Sequence, residues 1–456
     1  MFTSFLDESE VLFEFEPLNP EALPLSSEQI NQSLDYCRSI LDDRKQWQTY
    51  LNSLAFFGFQ NWLEQRSSEL VFNLDHPSLE KPELAYFIEA VCNLAVNQFK
   101  ICLVALGNSR TDTIILPRAI FELPEYRAHY YILIEVQEEL ETTSIYGFIS
   151  YSDFQAHKTQ IDLEPKADWT YSVPLSWFNT EPDQFLLFVR CLEVSAIPLP
   201  EIQNPAILLS QIREELISKL SQLQSSEPGS FHELWQILTW EQGKIIFSYP
   251  ELLRWIYEVQ NQAILSAQPI SQFHKNPIAY LTDLFNLLTQ PTLNLAGWFN
   301  QELDIISTAL SWVFIPDFSP ETALRDGTEI SSLVKQLQEN GVEISPQAKG
   351  AYRDLGLGGR SLRLYALTWP LEWEIEPEWT LLLILGLTTG TDLPVGVKLR
   401  VSDATGILVE QDSNREDQCS YLFTRVVGTC QEKFVVTVSL REDITETLPP
   451  FEFSFN

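Results

Sequence analysis

The five histidines are the first residues to consider for chemistry, because imidazole serves as a metal ligand and as a general acid or base near neutral pH. They are His76, His129, His157, His232 and His274. His232-Glu233 begins like a zinc-protease motif, but that motif needs a second histidine where this chain has Gln236. We therefore predict surface or capping histidines, with no metal site and no cofactor.

Cysteine and serine are the next candidates, as nucleophiles. The six cysteines lie in no CxxC pair and in no recognised catalytic motif, and no GxSxG turn is present. They are Cys37, Cys92, Cys102, Cys191, Cys419 and Cys430. We interpret them as reduced, buried, small apolar residues, with Cys92 and Cys102 as incidental strand neighbours. A thiol assisted by a distant histidine stays an open alternative, because catalytic triads assemble in space.

A glycine-rich loop contains Gly356, Gly358 and Gly359, followed by Arg360. Backbone N–H groups in such a loop bind phosphate when a helix follows. Here a strand is predicted to follow, so a flexible hinge is the favoured interpretation.

Carboxylates are abundant, with 63 Asp and Glu residues, so chance proximity carries little weight for acid-base catalysis. Glu135 interrupts an apolar strand face, and if buried it would need a cation such as Arg118 or Arg127, or a raised pKa. A sheet-edge or solvent-facing acid is the alternative we favour.

Two groups of residues are predicted as a partner surface. One is the acidic connection that contains Glu138, Glu139 and Glu141. The other is an aromatic and acidic stretch, TWPLEWEIEPEWT, which contains Trp369, Trp373 and Trp379. Tryptophan is enriched at interaction hot spots, but core residues of the β-sandwich are the alternative we favour for these three.

The formal net charge of −34 is the extreme feature of the composition. Nucleic-acid affinity depends on cationic side chains that displace counterions, so direct binding of DNA or RNA is not expected. The same charge would attract and orient a basic protein partner. The alternative is that acidity only keeps the protein soluble.

The N-terminal stretch MFTSFLDESEVLFEFEPL has acids where a signal peptide needs basic residues, and no apolar run reaches about 18 residues. We expect a cytoplasmic protein that does not bind membranes.

The elements that would position these residues begin with a β-hairpin. In AHYYILIEVQEELETTSIYGFISY, from Ala128 to Tyr151, two runs alternate between two faces, as strands do. A helix is predicted from about Ser26 to Arg66, with an N-cap at Ser26 or Ser27, and its second half, from Trp47 to Trp62, is apolar nearly all round. We expect it to lie across the sheet.

The fold class is predicted to be α+β, with four regions along the chain. Residues 1–200 form a helix-packed antiparallel sheet, and residues 201–315 an α-helical connector or small helical domain. Residues 316–360 are a linker with a short, solvent-facing helix near residues 329–339. Residues 361–456 contain seven short apolar runs separated by turn residues, which predict an antiparallel β-sandwich.

Several ordered blocks resemble the N-terminal region of the cyanobacterial domain-of-unknown-function family 1822. The blocks are QWQTYLNSLAFFGFQNWL, IILPRAIF, HYYILIEV followed by IYGFISY, and WTYSVPLSWF, and they cover roughly residues 25–195. The resemblance implies a cyanobacterial cytosolic protein. It implies no activity and no catalytic residues.

Two classes of function therefore stay open. The first is a non-enzymatic interaction or regulatory protein whose acidic surface binds a basic protein. The second is an enzyme of unrecognised type, or a small-molecule sensor, with a site between the N-terminal sheet and the helices. We favour the first.

Overall fold

The structure is a computed structural model, and the chain in it divides into two compact units. Unit 1 comprises Met1–Gln203 and Glu233–Ser248, and unit 2 comprises Asn204–His232 and Tyr249–Asn456. The residues described are 21–73, 77–107, 112–200, 206–225, 233–265, 276–300, 305–315, 329–339, 341–371, 377–388, 392–413, 420–441 and 444–454. The fold is α+β, as predicted.

The α-helices occur in both units. They are α1 Ser27–Cys37, α2 Asp43–Ser67, α3 Pro82–Ile88, α4 Ala119–Glu122, α5 Tyr151–Ile161, α6 Pro182–Cys191, α7 Ala206–Ser221, α8 Leu234–Ile237, α9 Trp240–Phe247, α10 Pro250–Leu265, α11 Pro277–Thr289, α12 Ile305–Ala309 and α13 Glu329–Glu339. None of the described helices is long and apolar enough to cross a membrane.

The strands likewise occur in both units. They are β1 Leu23–Pro24, β2 Phe72–Asn73, β3 Val91–Val96, β4 Phe99–Leu106, β5 Thr113–Pro117, β6 Tyr130–Gln137, β7 Thr142–Ser150, β8 Thr170–Pro174, β9 Leu293–Asn294, β10 Val313–Phe314, β11 Lys349–Leu357, β12 Arg360–Pro370, β13 Glu378–Leu387, β14 Val397–Ser402, β15 Ile407–Asp412, β16 Tyr421–Thr429, β17 Val435–Leu440, β18 Ile444–Thr447 and β19 Phe451–Glu452.

The main sheet of unit 1 has the strand order β1-β7-β6-β4-β3-β2. The predicted hairpin is confirmed: β6 and β7 pair antiparallel from Tyr130 opposite Ser150 to Gln137 opposite Thr142. The pairing of β4 with β6 is parallel, so the sheet is mixed, whereas the sequence predicted an antiparallel one. A separate two-stranded sheet joins β5 to β8.

Both faces of β6 are buried, which explains its nearly continuous apolar sequence. Tyr130 points to the face where it contacts Phe185 of α6, with ring centroids 5.3 Å apart. Tyr131 points to the opposite face and packs on Phe121 of α4 at 4.4 Å. Phe121 in turn stacks on Phe154 of α5 at 3.7 Å. Helices therefore cover the sheet on both sides.

Helix α2 lies against β4, β6 and β7, as predicted. The predicted single helix is two helices in the structure, because α1 ends at Cys37 and α2 begins after Asp42, whose carboxylate accepts the N–H groups of Arg44 and Lys45. At the start of α1, Ser26 and Gln29 form a capping box, which agrees with the predicted N-cap.

Unit 2 contains an antiparallel β-sandwich. One sheet has the order β10-β11-β12-β13-β16 and the other has the order β15-β14-β17-β18. Alternate residues of β13, including Leu381 and Leu383, point into the core between the sheets. Leu382 and Ile384 point outward, to a second apolar cluster that includes Val334 and Leu337 of α13. Helix α13 therefore packs on the sheet, so the prediction that it faces solvent was wrong.

Residues 349–357 differ most from the expectation of a linker. They form β11, which pairs with β12 over its whole length. Gly358 and Gly359 have φ angles of +58° and +76° and make the two-residue turn between these strands. The glycine loop is thus a tight hairpin turn within the sheet, and the prediction of a flexible hinge was wrong.

The region predicted as a helical connector, residues 201–315, has no compact unit of its own. Contacts assign Glu233–Ser248, with α8 and α9, to unit 1, and the flanking helices α7, α10 and α11 to unit 2. Within this region, Leu295–Asn300 form a 3-10 turn, and α12 follows it.

Candidate functional site

The turn between β6 and β7 carries the predicted acidic residues. A 3-10 turn spans Glu138–Leu140, and Glu141 follows with φ of 52°. The backbone N–H of Leu25 donates to the carbonyl of Glu141 at 2.8 Å, which anchors the turn to the preceding chain. Glu139 and Glu141 are exposed and Glu138 is half-buried. In the part of the chain that the structure describes, none of the three carboxylates forms an ion pair.

Two apolar side chains are exposed in this region, Leu140 on the turn itself and Trp47 next to Tyr50. Leu140 is 55% exposed and Trp47, at the start of α2, is 50% exposed. The ring of Trp47 lies 5.7 Å from that of Tyr50. Burial raises the pKa of Tyr50, and the charges of Glu138 and Glu141 raise it further, so the tyrosine lies within the field of the acidic turn.

These residues together form one surface, which we call the hairpin-tip surface. It comprises Trp47, Tyr50, Glu138, Glu139, Leu140 and Glu141. The sequence analysis predicted the three acids of this surface. It also predicted that Trp47 is buried, because this residue belongs to the apolar repeat of the predicted helix. In the structure, the first buried aromatic residue of α2 is Phe56, and Trp47 is half-exposed.

The predicted tryptophan ridge does not form. Trp369 is 3% exposed and Trp379 is fully buried, with its indole N–H donating to the carbonyl of Thr429 at 2.9 Å. Trp373 lies outside the described residues. The two described tryptophans point to opposite faces of the five-stranded sheet and serve its two apolar cores. Both are core residues, the alternative that the sequence favoured, and the prediction of an exposed ridge was wrong for both.

A second site of interest is a cluster of polar side chains around Glu122, at the end of α4. Its Oε1 atom lies 2.9 Å from Nε of Arg118 and accepts the hydroxyl of Tyr171 at 2.5 Å. Its Oε2 atom accepts the indole N–H of Trp240 at 2.9 Å. Lys158 donates to the Tyr171 hydroxyl at 2.6 Å and lies 3.6 Å from Oε1 of Glu122. We call these five residues the Glu122 cluster.

The electrostatics of the cluster favour an ionised Glu122. Burial alone would raise the pKa of Glu122, but the ion pair with Arg118 and the hydrogen bonds from Tyr171 and Trp240 outweigh burial and lower it. The pKa of Tyr171 is raised, first by burial and then by its hydrogen bond to the carboxylate. The phenol therefore stays protonated and acts as a donor to Glu122.

A cavity of about 300 Å³ opens beside this cluster. Its lining comes from α4, α5, the loop after α5, and β8. Sequence reasoning missed this site because its members extend from Arg118 to Trp240. The four-residue spacing of Arg118 and Glu122 is the only local signal, and such pairs are common on helices.

A model of the family "Protein of unknown function (DUF1822)" matches residues 23–449. The chain belongs to the DUF1822 family. The match extends well beyond residues 25–195, where the sequence blocks resembled this family. No curated protein and no solved structure matches the chain.

The two histidines that the structure describes in this DUF1822 protein, His129 and His157, each contact neighbouring residues of the fold. His129 is 5% exposed, and its Nδ1 accepts the backbone N–H of Lys100 at 2.8 Å. The ring of His157 stacks on Trp177 at 4.9 Å. His76, His232 and His274 lie outside the described residues. Within the described ranges, no group of three or more His, Cys, Asp or Glu side chains could hold a metal ion.

Glu135 forms a hydrogen bond with a serine and no ion pair with either of the two arginines considered for it. Its Oε2 accepts the hydroxyl of Ser144, the residue opposite it on β7, at 3.1 Å. Arg118 pairs with Glu122 instead, and Arg127 donates to backbone carbonyls, among them that of Phe121 at 2.9 Å. Neither arginine is the counterion of Glu135.

Two cysteines are neighbours, as the sequence suggested. The sulfur atoms of Cys92 and Cys102 lie 3.6 Å apart in the buried part of β3 and β4. Burial raises the pKa of Cys102 well above the ordinary value for a thiol, which disfavours the nucleophilic thiolate. Cys191 is exposed and Cys430 half-buried, so the prediction of buried cysteines was wrong for these two, and Cys419 lies outside the described residues.

Proposed function

We propose that this DUF1822 protein is a non-enzymatic binding protein and that its hairpin-tip surface docks a basic segment of a protein partner. The observation that carries the proposal is the combination of three carboxylates, which have no cationic partner among the described residues, with a half-exposed tryptophan that contacts Tyr50 beside them. The carboxylates and the apolar side chains contribute to binding in different ways.

The carboxylates supply attraction and orientation. Glu138, Glu139 and Glu141 lie on one short turn, and the whole chain carries a formal net charge of −34. A field of one sign speeds the encounter with a partner of the opposite sign and suppresses like-charged partners. The same charge opposes contact with phosphate backbones, so nucleic acid is not part of the proposal.

The apolar side chains supply the free energy of docking. Trp47 and Leu140 each leave about half of the side chain in water. Burying such surface contributes about 25 cal/mol per Å², and tryptophan is among the commonest hot-spot residues. A basic segment with apolar residues between its cations would contact both kinds of group. The ordered backbone of the turn, fixed by Leu25, lowers the entropy cost of binding.

The cellular setting belongs to the same proposal. We place the protein in the cytoplasm of a cyanobacterial cell. The scattered cysteines, which form no disulfide in the described part of the chain, fit a reducing compartment, and the sequence blocks that resemble DUF1822 imply the cyanobacterial origin.

The test compares binding by the full-length protein and by two triple variants of equal charge change. The first carries Glu138→Lys, Glu139→Lys and Glu141→Lys. The second is the control and carries Glu214→Lys, Glu343→Lys and Asp392→Lys, which alter exposed acids of unit 2. Proteins captured from native lysate by the unmodified protein are purified and titrated against all three proteins at low and at high salt.

We expect a basic partner whose affinity falls about tenfold or more in the first variant, which corresponds to about 1.4 kcal/mol, and much less in the control. Trp47→Ala should weaken binding at both salt concentrations, because its contribution is apolar, whereas the charge effect should shrink at high salt. If both triple variants weaken binding equally, or if no captured protein depends on the hairpin tip, the proposal is wrong.

A further inference from the structure

The cavity beside the Glu122 cluster has a charged inner wall and a charged rim of opposite sign. Its charged lining residues are Arg118, Glu122, Lys158, Asp162 and Glu164, and Tyr171 lines it as well. Arg118 and Lys158 are only about one-fifth to one-quarter exposed, whereas Asp162 and Glu164 are exposed. At about 300 Å³ the cavity lies at the small end of the range for ligand pockets.

Arg118 is held in place with donors to spare. Its Nε atom lies 2.9 Å from Oε1 of Glu122, as an ion pair without the alignment of a hydrogen bond, and its guanidinium lies over the ring of Trp240 at 4.6 Å. Among the described residues, none accepts a hydrogen bond from its two terminal nitrogens. A guanidinium that pairs with one carboxylate and lies on a ring keeps its terminal nitrogens for bidentate binding of a second carboxylate.

Lys158 is the second cation of the inner wall. Its ammonium group has three donors, of which one binds the hydroxyl of Tyr171 at 2.6 Å, and it lies 3.6 Å from the Glu122 carboxylate. Two cations therefore share the single carboxylate of Glu122. The inner wall keeps an excess of one positive charge, in a place that is partly shielded from water.

We propose that this cavity binds a small zwitterion, such as a free amino acid, with its carboxylate at Arg118 and Lys158 and its ammonium group toward Asp162 and Glu164. A simple anion would meet repulsion from the rim and from the strongly acidic protein as a whole. A ligand with no net charge avoids that repulsion and still satisfies both ends of the cavity. This inference is independent of the hairpin-tip surface.

The test begins with thermal shifts and isothermal titration calorimetry of the full-length protein against each of the twenty common L-amino acids. A bound amino acid is then compared with two analogues, one lacking the amino group and one lacking the carboxylate. We expect at least one amino acid to bind and both of its analogues to bind about tenfold or more weakly, because each has lost one charged contact. If no amino acid at 5 mM binds or raises the melting temperature, the proposal is overturned.

Two sets of variants assign the ends of the ligand. Lys158→Met keeps the length of the side chain and should weaken the amino acid and the analogue lacking the amino group alike. Asp162→Asn with Glu164→Gln should weaken only ligands that carry an ammonium group. These rim residues are exposed, and asparagine suits the left-handed φ of 50° at position 162, so folding is preserved. Unchanged affinity in both variants would place the ligand elsewhere and contradict the assignment.

Discussion

Arg400 and Asp283 form a bidentate ion pair inside unit 2. Nε of Arg400 donates to Oδ2 of Asp283 at 2.7 Å, and Nη2 donates to Oδ1 at 3.0 Å. The hydroxyls of Ser402 and Thr437 donate to the same carboxylate at 2.7 Å and 2.9 Å. Asp283 is 1% exposed and lies on α11, whereas its partners lie on β14 and β17. The carboxylate therefore determines where α11 packs on the four-stranded sheet.

Removal of this carboxylate should destabilise unit 2 strongly. We expect Asp283→Ala to lower the free energy of unfolding by about 3 to 5 kcal/mol, because Arg400 would be left buried with only Glu410 as a more distant partner at 3.6 Å. Urea denaturation gives the size of the loss, and hydrogen exchange of peptides from β14 and β17 localises it.

The control is the double variant Asp283→Leu with Arg400→Met, which removes both charges and keeps apolar volume. It should be far less destabilised than the single variant, since no uncompensated charge remains in the interior. Equal losses in the two variants would mean that packing, and not charge, dominates at this position.

His129 should make the stability of unit 1 depend on pH. Burial, together with the charge of Lys100, lowers the pKa of His129 from 6.5 to about 4. Between these values the unfolded chain binds more protons than the folded chain, so stability is retained above pH 6.5 and falls as the pH drops toward 4. Between pH 7 and pH 5 this residue should account for about 2 kcal/mol, measured by urea denaturation at both pH values.

The matched variant for this prediction is His129→Asn. The Oδ1 atom of asparagine occupies nearly the same place as Nδ1 of histidine and can accept the N–H of Lys100, but it does not titrate in this range. The variant should lose less stability than the unmodified protein between pH 7 and pH 5. The same pH dependence in both proteins would assign the effect to other groups.

The strands were predictable wherever their residues alternate or are apolar on both faces. The hairpin around Tyr130 and the runs that became β12, β13, β16 and β17 were found from the sequence for this reason. The strand Lys349–Leu357 was missed because its sequence, KGAYRDLGL, mixes charges and glycines with few apolar residues. Its conformation is imposed by pairing with β12, which is a tertiary effect that local patterns do not carry.

The candidate sites were less predictable than the strands. Glu138, Glu139 and Glu141 lie within four consecutive residues of one turn, so their proximity follows from the sequence. The Glu122 cluster unites Arg118, the residue before α4, with Trp240 of α9, and only the fold of unit 1 brings them together. Trp369 and Trp379 lie close together in the sequence but form no common surface, because both are buried. Sequence spacing does not distinguish a buried aromatic residue from an exposed one.

Gly58 marks the closest approach of α2 to the sheet. A Cβ atom at this position would lie 2.1 Å from Oγ1 of Thr143 on β7 and 2.6 Å from its Cβ. Alanine normally stabilises a helix relative to glycine by up to about 1 kcal/mol, but here the helix would have to move away from β7, at a cost of about 1 to 3 kcal/mol. We therefore expect Gly58→Ala to lower the melting temperature, and Thr143→Gly to restore part of the loss in the double variant.

Gly356→Ala is the control, because nothing lies within 4 Å of a Cβ there and the change should be nearly neutral. A melting temperature for Gly58→Ala equal to that of the control would show that α2 can shift on the sheet without loss of packing.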